Sequence, residues 1–216
     1  CDNSRSVRID GAYQVRTKQL TINFKDHLIR TGRCLNETFD FSAVDYGHST
    51  YKGIEFDNIV CCEGALGKHT PFDYVPIIPN LGEVLHVELA KTQPSFAFKK
   101  KVFVVPQEGG YYWVGGTYKN LKSEDEAQPD FDRLISMFED AYSGEYRIIK
   151  KTYGLRPTIP DRKPVIGPHH TNQHLYILNG LGTKGASLGP YSARALLAHI
   201  ENNAQIDDEM SVSRYE

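Results

Sequence analysis

No segment of the 216-residue sequence approaches the run of about 20 apolar residues that a membrane-spanning helix needs. An excess of one charge is also lacking, because 25 Lys and Arg residues stand against 27 Asp and Glu residues, for a formal net charge of -2. Nucleic acids and anionic membranes attract clustered positive charge, so this balance predicts neither as a partner. Basic residues cluster only at Lys99–Lys101, which we interpret as a charged strand edge. We therefore expect a cytoplasmic protein without a membrane span.

Cysteine is scarce, with four residues and no CxxC pair. The adjacent Cys61–Cys62 pair lies in an apolar, strand-like stretch, where neighbouring side chains point to opposite faces. Cys1 and Cys34 have no metal-ligand spacing, so we predict reduced, structural thiols throughout. Three histidines fall within His169–His174, but no carboxylate or thiol accompanies them, and we predict no metal site.

The most informative stretch of the sequence is a glycine-rich loop near its C-terminus. Four glycines fall within ten residues, and Gly180–Gly185 reads as a literal GxGxxG. It follows the strand-like segment HLYILN and precedes a predicted helix at Tyr191–Asn203, as the dinucleotide-binding fingerprint requires. No second apolar strand follows that helix to carry a ribose-binding acid, and no Lys-Ser or Lys-Thr pair completes a phosphate-binding loop.

What remains is a loop whose bare backbone can contact a large flat ligand, with the positive N-terminus of the next helix behind it. The alternative interpretation is an ordinary glycine-rich turn between a strand and a helix.

Arg156 is the strongest candidate for a ligand-binding side chain. Pro157 forces it into an extended conformation, and its guanidinium offers the fork geometry that binds a carboxylate through two hydrogen bonds. The structural alternative is an ion pair with Asp161 that stabilises a turn. Lys184, in the glycine-rich loop, is a candidate second cation, with a solvent-exposed loop lysine as the alternative.

Apolar content of 40% in a chain of this length supports one sizeable core or two small ones. Hydrophobic periodicity predicts a mixed α/β chain in which antiparallel strands dominate after residue 76. The predicted helices are Thr17–Arg30, Pro129–Tyr142 and Tyr191–Asn203. The predicted strands are Phe39–Tyr46, Tyr51–Cys62, Gly82–Ala90, Ser95–Pro106, Gly110–Tyr118 and Tyr146–Tyr153.

Five motifs occur in one order along the chain: FDNIVCCEGALG, VPIIPNLGEVLHVEL, VFVVPQEGGYYWVGGTY, GLRPTIPDRKPVIG and LYILNGLGTKGASLGP. Together they resemble the D-amino-acid oxidase/glycine oxidase family of flavoproteins, from about Val7 to Ile200. The resemblance implies FAD as cofactor and oxidation of a C–N bond next to a carboxylate, by hydride transfer from the substrate to the flavin. It implies a partial FAD-binding domain at 1–75, a substrate-binding domain with an antiparallel sheet at 76–153, the rest of the FAD-binding domain at 154–206, and a tail at 207–216.

The resemblance also assigns site residues. Arg156 would bind the substrate carboxylate, Lys184 would assist it, and Tyr118 and Phe103 would line the substrate cavity. No residue is assigned as a catalytic acid or base. The residues that would contact the cofactor are Gly64, Gly180, Leu181, Gly182, Thr183, Lys184 and Gly185. The expected partner is therefore a small-molecule substrate, an amino acid, an N-substituted glycine or another amine.

One departure from the family pattern matters. Family members begin with a unit whose GxGxxG holds the FAD pyrophosphate, and nothing like it precedes the loop in this sequence. We expect the sequence to be the later portion of a longer enzyme, and the polypeptide Cys1–Glu216 alone to purify without FAD and to be inactive. We also expect it either to form a homodimer through open sheet edges or to be disordered at Gly180–Gly189. Two alternatives stay open: a flavoenzyme of the same fold acting on a hydroxy acid or polyol phosphate, and a non-catalytic module.

Overall fold

The computed structural model describes residues 7–90 and 94–216. Its helices are α1 (Thr17–Arg30), α2 (Phe131–Glu139) and α3 (Gly185–Asn202). Its strands are β1 (Val44–Asp45), β2 (Thr50–Tyr51), β3 (Ile54–Glu55), β4 (Ile59–Cys61), β5 (Ile78–Leu89), β6 (Phe98–Lys99), β7 (Phe103–Pro106), β8 (Tyr112–Gly115), β9 (Lys119–Asn120), β10 (Tyr146–Thr158), β11 (Val165–His169) and β12 (Asn172–Asn179). The predicted mixed α/β fold with an antiparallel sheet is confirmed.

The largest sheet is antiparallel, with strand order β10-β5-β8-β7-β6 and with β9 also paired to β5. Its two long strands, β5 and β10, pair from Ile78 opposite Thr158 to Leu89 opposite Tyr146, with one irregularity between Ile148 and Lys150. Because successive side chains of a strand alternate between faces, β5 sends one set of residues toward α2 and the other set to the opposite face. That opposite face carries Arg156 beside β5.

Helix α2 covers the first face of this sheet. The Asp130 side chain accepts a hydrogen bond from the Arg133 amide and caps the helix N-terminus. Leu134 and Phe138 follow at helical spacing and are fully buried. The core around them consists of Leu85, Val87, Leu89, Val102, Val104, Tyr112, Val114, Leu134 and Phe138. The predicted helix Pro129–Tyr142 is thus confirmed, though shorter at both ends.

A second, three-stranded sheet has the order β11-β12-β4, with β12 and β4 parallel. Helix α3 packs on it through Leu196, and a second cluster around Phe72 and Ile177 fills its other side. Residues at the C-terminus complete this part of the core. Val212, in a short 3-10 helix at Val212–Tyr215, is 1% exposed, and Ser211 bridges to Ile166 of β11.

Several predicted strands differ from the structure. The segment Ser95–Pro106 forms two short strands, β6 and β7, because Lys100 and Lys101 turn the chain between them. The triple lysine therefore lies at a turn as well as on an edge strand. Phe39–Tyr46 is mostly non-extended, with a 3-10 turn at Phe41–Ala43 capped by Asp40. In both segments a local turn prevails over apolar alternation.

Helix α1 has the predicted bounds, but it buries none of its residues. Its apolar stripe is largely open to solvent, with Leu20 62% and Phe24 60% exposed. Among the helices of the two described ranges, none is both long enough and apolar enough to cross a membrane.

Cys34, Cys61 and Cys62 are free thiols, whereas Cys1 lies outside the described residues. Burial, assisted by the charge of Glu63, raises the pKa of the Cys61 thiol to about 12. At neutral pH this thiol is therefore uncharged and packs as a small apolar side chain.

Candidate functional site

The two sheets meet where β10 ends and the glycine-rich loop begins. The Gly182 amide donates a hydrogen bond of 2.9 Å to the carbonyl of Pro157, one residue beyond Arg156. A cavity of about 670 Å³ opens at this junction. It is lined by Tyr118, Thr158, Ile159, Asp161, Arg162, Lys163, Gly180, Leu181, Gly182, Thr183 and Lys184. Besides two loop glycines, the lining includes four residues that the sequence predicts for the site: Tyr118, Leu181, Thr183 and Lys184.

Arg156 is not among the residues that line the cavity, but it lies next to one of them, Tyr118, on the sheet face opposite α2. Its Nη1 donates to Asn80 Oδ1 at 2.9 Å and to the Thr117 carbonyl at 3.1 Å. The guanidinium lies over the backbone of Gly82, and its Cζ is 6.0 Å from the centre of the Tyr118 ring. All its direct partners are therefore neutral.

The charge of Arg156 is not compensated by an ion pair within the described part of the chain. Asp161, the partner considered from the sequence, instead accepts a hydrogen bond from Arg214 Nε at 2.9 Å. Burial lowers the pKa of Arg156, while Tyr118 and Glu83 act in the opposite direction. A half-buried guanidinium without a carboxylate partner is a ready-made site for an external anion.

Glu83 is a buried carboxylate that stabilises the backbone beneath Arg156. It is 3% exposed, accepts a hydrogen bond from the Thr117 hydroxyl, and accepts another from the Asp130 amide at 3.0 Å. The Glu83 amide in turn donates to the same Thr117 hydroxyl at 2.7 Å. This network fixes Thr117, whose carbonyl accepts from Arg156. The sequence does not single out these residues, because their partners are more than thirty positions away.

The glycine-rich loop is a compact five-residue turn, Gly180–Lys184, because α3 begins at Gly185. Gly180 has φ +72° and Gly182 φ +52°, values that side-chain-bearing residues rarely adopt. A Cβ on Gly180 would also lie 2.3 Å from Ile159 Cδ1. These two glycines are thus required by the backbone, whereas Gly189 lies inside α3.

Asn179 joins the loop to Gly64. Its side-chain amide donates to the Gly64 carbonyl at 2.9 Å, and its side-chain oxygen accepts from the Gly180 amide at 2.9 Å. Since β4 and β12 are parallel neighbours, their carboxyl ends lie at one edge of the sheet, where ligands of open α/β sheets bind. Gly64, which the resemblance assigns to the cofactor, is therefore held next to the loop. The sequence signal for this link is Asn179, directly before the first glycine of the loop, which the motif interpretation leaves out.

The loop and the start of α3 can accommodate a flat, electron-rich group. Within the described residues no acceptor meets the amides of Leu181 and Thr183, and no side chain caps α3. A Cβ on Gly185 would meet nothing within 4 Å. Free amides, a helix N-terminus and an open cavity fit the ring of a flavin.

The remaining predicted site residues do not all line the cavity. Lys184 lines the cavity, but its Nζ donates to the Arg162 carbonyl at 3.3 Å. Phe103 is outside the lining set of the cavity and lies on β7, beneath the ammonium group of Lys99 at 4.7 Å. Tyr118 is half exposed and lies between the cavity and Arg156. Tyr118 is thus better placed than Phe103 to contact a ligand held by Arg156.

Comparison with known proteins identifies the family and the fold of the chain. The chain matches the family described as FAD dependent oxidoreductase over residues 9–199 and belongs to that family. The D-amino acid dehydrogenase of Agrobacterium fabrum is 29% identical over 172 residues, which cover 70% of this chain and 40% of that protein. The tRNA 5-methylaminomethyl-2-thiouridine biosynthesis bifunctional protein MnmC of Idiomarina loihiensis is 26% identical over 136 residues, or 58% of this chain and 22% of the relative.

Solved structures share the fold. Glycine oxidase from Bacillus cereus superimposes with a TM-score of 0.58 and 24% identity over 68% of this chain and 43% of the oxidase. Iminodiacetate oxidase from Chelativorans sp. BNC1 gives a TM-score of 0.60 and 20% identity over 77% of this chain and 47% of that enzyme. The chain spans less than half the length of each of these relatives.

Proposed function

We propose that this chain supplies the substrate-binding wall and the flavin-ring contact of an FAD-dependent enzyme that oxidises the C–N bond of an amino acid or an N-substituted glycine. The main observation in support is the half-buried Arg156, which forms no ion pair with any carboxylate of the described residues and donates only to neutral partners. In this proposal residues 76–153 form the substrate domain, and residues 1–75 and 154–206 flank the cofactor. The relatives named for glycine, iminodiacetate and D-amino acids support the same substrate class.

Bound FAD would supply the two-electron acceptor that takes a hydride from the substrate carbon bearing the nitrogen. Arg156 would bind the substrate carboxylate through two hydrogen bonds and thereby fix the direction of that C–H bond. Tyr118, beside the guanidinium, would close one wall of the cavity. The free amides of Leu181 and Thr183, with the N-terminus of α3, would stabilise negative charge on the ring. No side chain of the chain needs to transfer a proton in this scheme.

Substitution of Arg156 by Lys in the full-length, FAD-loaded protein tests this proposal. Because lysine loses the two-pronged contact, the KM for an amino acid should rise by about tenfold or more, while the KM for the amine that lacks the carboxylate should change little. Glycine and methylamine, or sarcosine and dimethylamine, form suitable substrate pairs.

Equal effects of the substitution on both members of a pair would contradict the carboxylate assignment. Turnover of 2-hydroxy acids without turnover of any amino acid would instead favour an enzyme acting on a C–O bond. An FAD-loaded protein that oxidises neither class would favour a binding module.

A further inference from the structure

The guanidinium of Arg156 is hydrogen-bonded on one side only. Nη1 has two hydrogens, and two acceptors meet it: Asn80 Oδ1 at 2.9 Å and the Thr117 carbonyl at 3.1 Å. Within ranges 7–90 and 94–216 no acceptor meets Nε or Nη2. These two nitrogens form one edge of the planar group, and that edge matches the spacing of the two oxygens of a carboxylate.

Gly82 provides the flat surface on which the guanidinium lies. A Cβ at this position would be 2.0 Å from Nη2, 2.2 Å from Cζ and 2.3 Å from Nη1 of Arg156. Such distances are far below the roughly 3.5–4.0 Å of an ordinary contact. The guanidinium can occupy its position only because residue 82 has no side chain.

Asn80 is itself held in place. It is completely buried, and its side-chain amide donates to Asn120 Oδ1 at 2.8 Å. Its oxygen is thereby turned toward Arg156, and its neutrality leaves the positive charge free for a ligand. Asp at the same position would be isosteric but would neutralise the guanidinium directly.

We propose that Asn80 and Gly82 are positioning residues that orient Arg156 so that its Nε/Nη2 edge alone is presented to the substrate carboxylate. In this proposal Asn80 fixes the rotation of the guanidinium in its own plane, and Gly82 fixes the distance between the guanidinium and the sheet. This inference rests on the proposed role of Arg156 in carboxylate binding. It adds that the geometry of the site depends on β5, in which Asn80 lies 76 positions before Arg156 in the chain.

The pair Gly82→Ala and Gly154→Ala tests the role of Gly82. The two glycines lie directly opposite each other on β5 and β10, but a Cβ on Gly154 would meet nothing within 4 Å. Gly82→Ala should displace the flexible end of Arg156 by more than about 1 Å and weaken benzoate binding by about tenfold or more, a sensitivity typical of misplaced binding groups. Gly154→Ala should bind benzoate like the unaltered protein. Calorimetric titration of the full-length, FAD-loaded protein with benzoate, and with benzamide as the uncharged probe, measures both.

Asn80→Asp tests the requirement for a neutral partner. The new carboxylate should occupy the guanidinium and reduce benzoate affinity to that for benzamide. Because Asp cannot donate to Asn120 Oδ1, the Asn120 side-chain amide should turn to donate to the new carboxylate, and the thermal midpoint should stay close to that of the unaltered protein. In kinetics, both substitutions should raise KM for the amino acid more than they lower kcat, whereas a general loss of structure would lower both binding and melting temperature.

The outcomes separate the two proposals. If the unaltered protein does not prefer benzoate to benzamide, the carboxylate role of Arg156 fails, and the positioning role fails with it. If the unaltered protein shows the preference and Arg156→Lys removes it, but Gly82→Ala and Asn80→Asp retain it, then only the positioning role is overturned.

Discussion

Two neighbouring surfaces of this molecule offer binding groups of opposite kinds. The Arg156 surface uses a charged side chain held by residues from other strands, whereas the Gly180–Lys184 loop offers backbone amides and a helix N-terminus. Glycine has a different structural role at each surface. Gly82 makes room for a side chain, and Gly180 adopts a backbone conformation that other residues disfavour.

This difference explains which surface can be read from a sequence. The loop is local, so its glycines, its preceding strand and its following helix are consecutive in the chain. Around Arg156, by contrast, the contacts join residues 80, 82 and 117 to residue 156. The GLRP motif identifies the arginine, but only the pairing of β5 with β10 reveals what orients it.

The largest effect is expected from Gly180→Val, which would break the backbone surface. At φ +72° a branched side chain is strained, and its Cβ would collide with Ile159. We expect a loss of about 2 kcal/mol or more in the free energy of unfolding, together with weaker retention of flavin. Urea denaturation measures the first quantity and flavin absorbance after gel filtration measures the second.

Gly185→Ala is the matched control for stability. A Cβ there meets nothing within 4 Å, and the residue is the first of α3, so alanine should leave stability unchanged or raise it by about 0.4–1 kcal/mol. If Gly180→Val were as stable as Gly185→Ala, the loop would not depend on its backbone conformation in the way described.

A smaller, pH-dependent effect is expected from Asp161→Asn, which probes the acid that does not pair with Arg156. Burial alone would raise the pKa of Asp161, but hydrogen bonds from the Lys163 amide and from Arg214 outweigh it and hold the pKa below its ordinary value. A lowered pKa means that the ionised carboxylate stabilises the fold above about pH 4, and that this stability is lost as pH falls through the folded-state pKa.

The Asn variant should therefore be less stable by about 1 kcal/mol at neutral pH, a modest value because Asp161 is partly exposed, and its stability should fall less steeply on acidification. Thermal melts at pH 7 and pH 3.5 measure both. Because Asp161 lines the cavity but is paired with Arg214, loss of its charge should raise benzoate affinity by less than about threefold, and a larger increase would indicate that Asp161 competes for Arg156.

Helices α1 and α2 show why some of the fold could be predicted and some could not. Both have the apolar periodicity of a helix, and both helices form, because this periodicity is a local property of the sequence. Leu134 and Phe138 of α2 find the inner face of the antiparallel sheet, whereas Leu20 and Phe24 of α1 remain exposed. A stripe therefore predicts a helix without identifying what covers it.

Strand boundaries were less predictable for a related reason. In Ser95–Pro106, the apolar residues resume in the same alternating register after the three lysines, with Phe96 and Phe98 before them and Val102 and Val104 after them. The segment therefore reads as one strand, although the chain breaks between β6 and β7. The start of α3 was placed too late, since glycine and Pro190 weaken the helical pattern of its first turns. The buried residues of α3, Ser192 and Leu196, lie beyond these first turns.

The smallest effect is expected from Lys184→Met, which sharpens the contrast between the two cations of the region. Lys184 is exposed, and its Nζ contacts the Arg162 carbonyl at 3.3 Å, so its charge is dispersed in solvent. Arg156 is half buried and oriented by neutral partners. Lys184→Met should therefore reduce benzoate affinity by less than about threefold, against about tenfold or more for Arg156→Lys, because exposed charges contribute little to binding.

Calorimetric titration at low and physiological salt measures the difference, and the Lys184 contribution should vanish at the higher salt. A loss as large as that of Arg156→Lys would mean that both cations bind the carboxylate, and the division between a side-chain surface and a backbone surface would no longer hold.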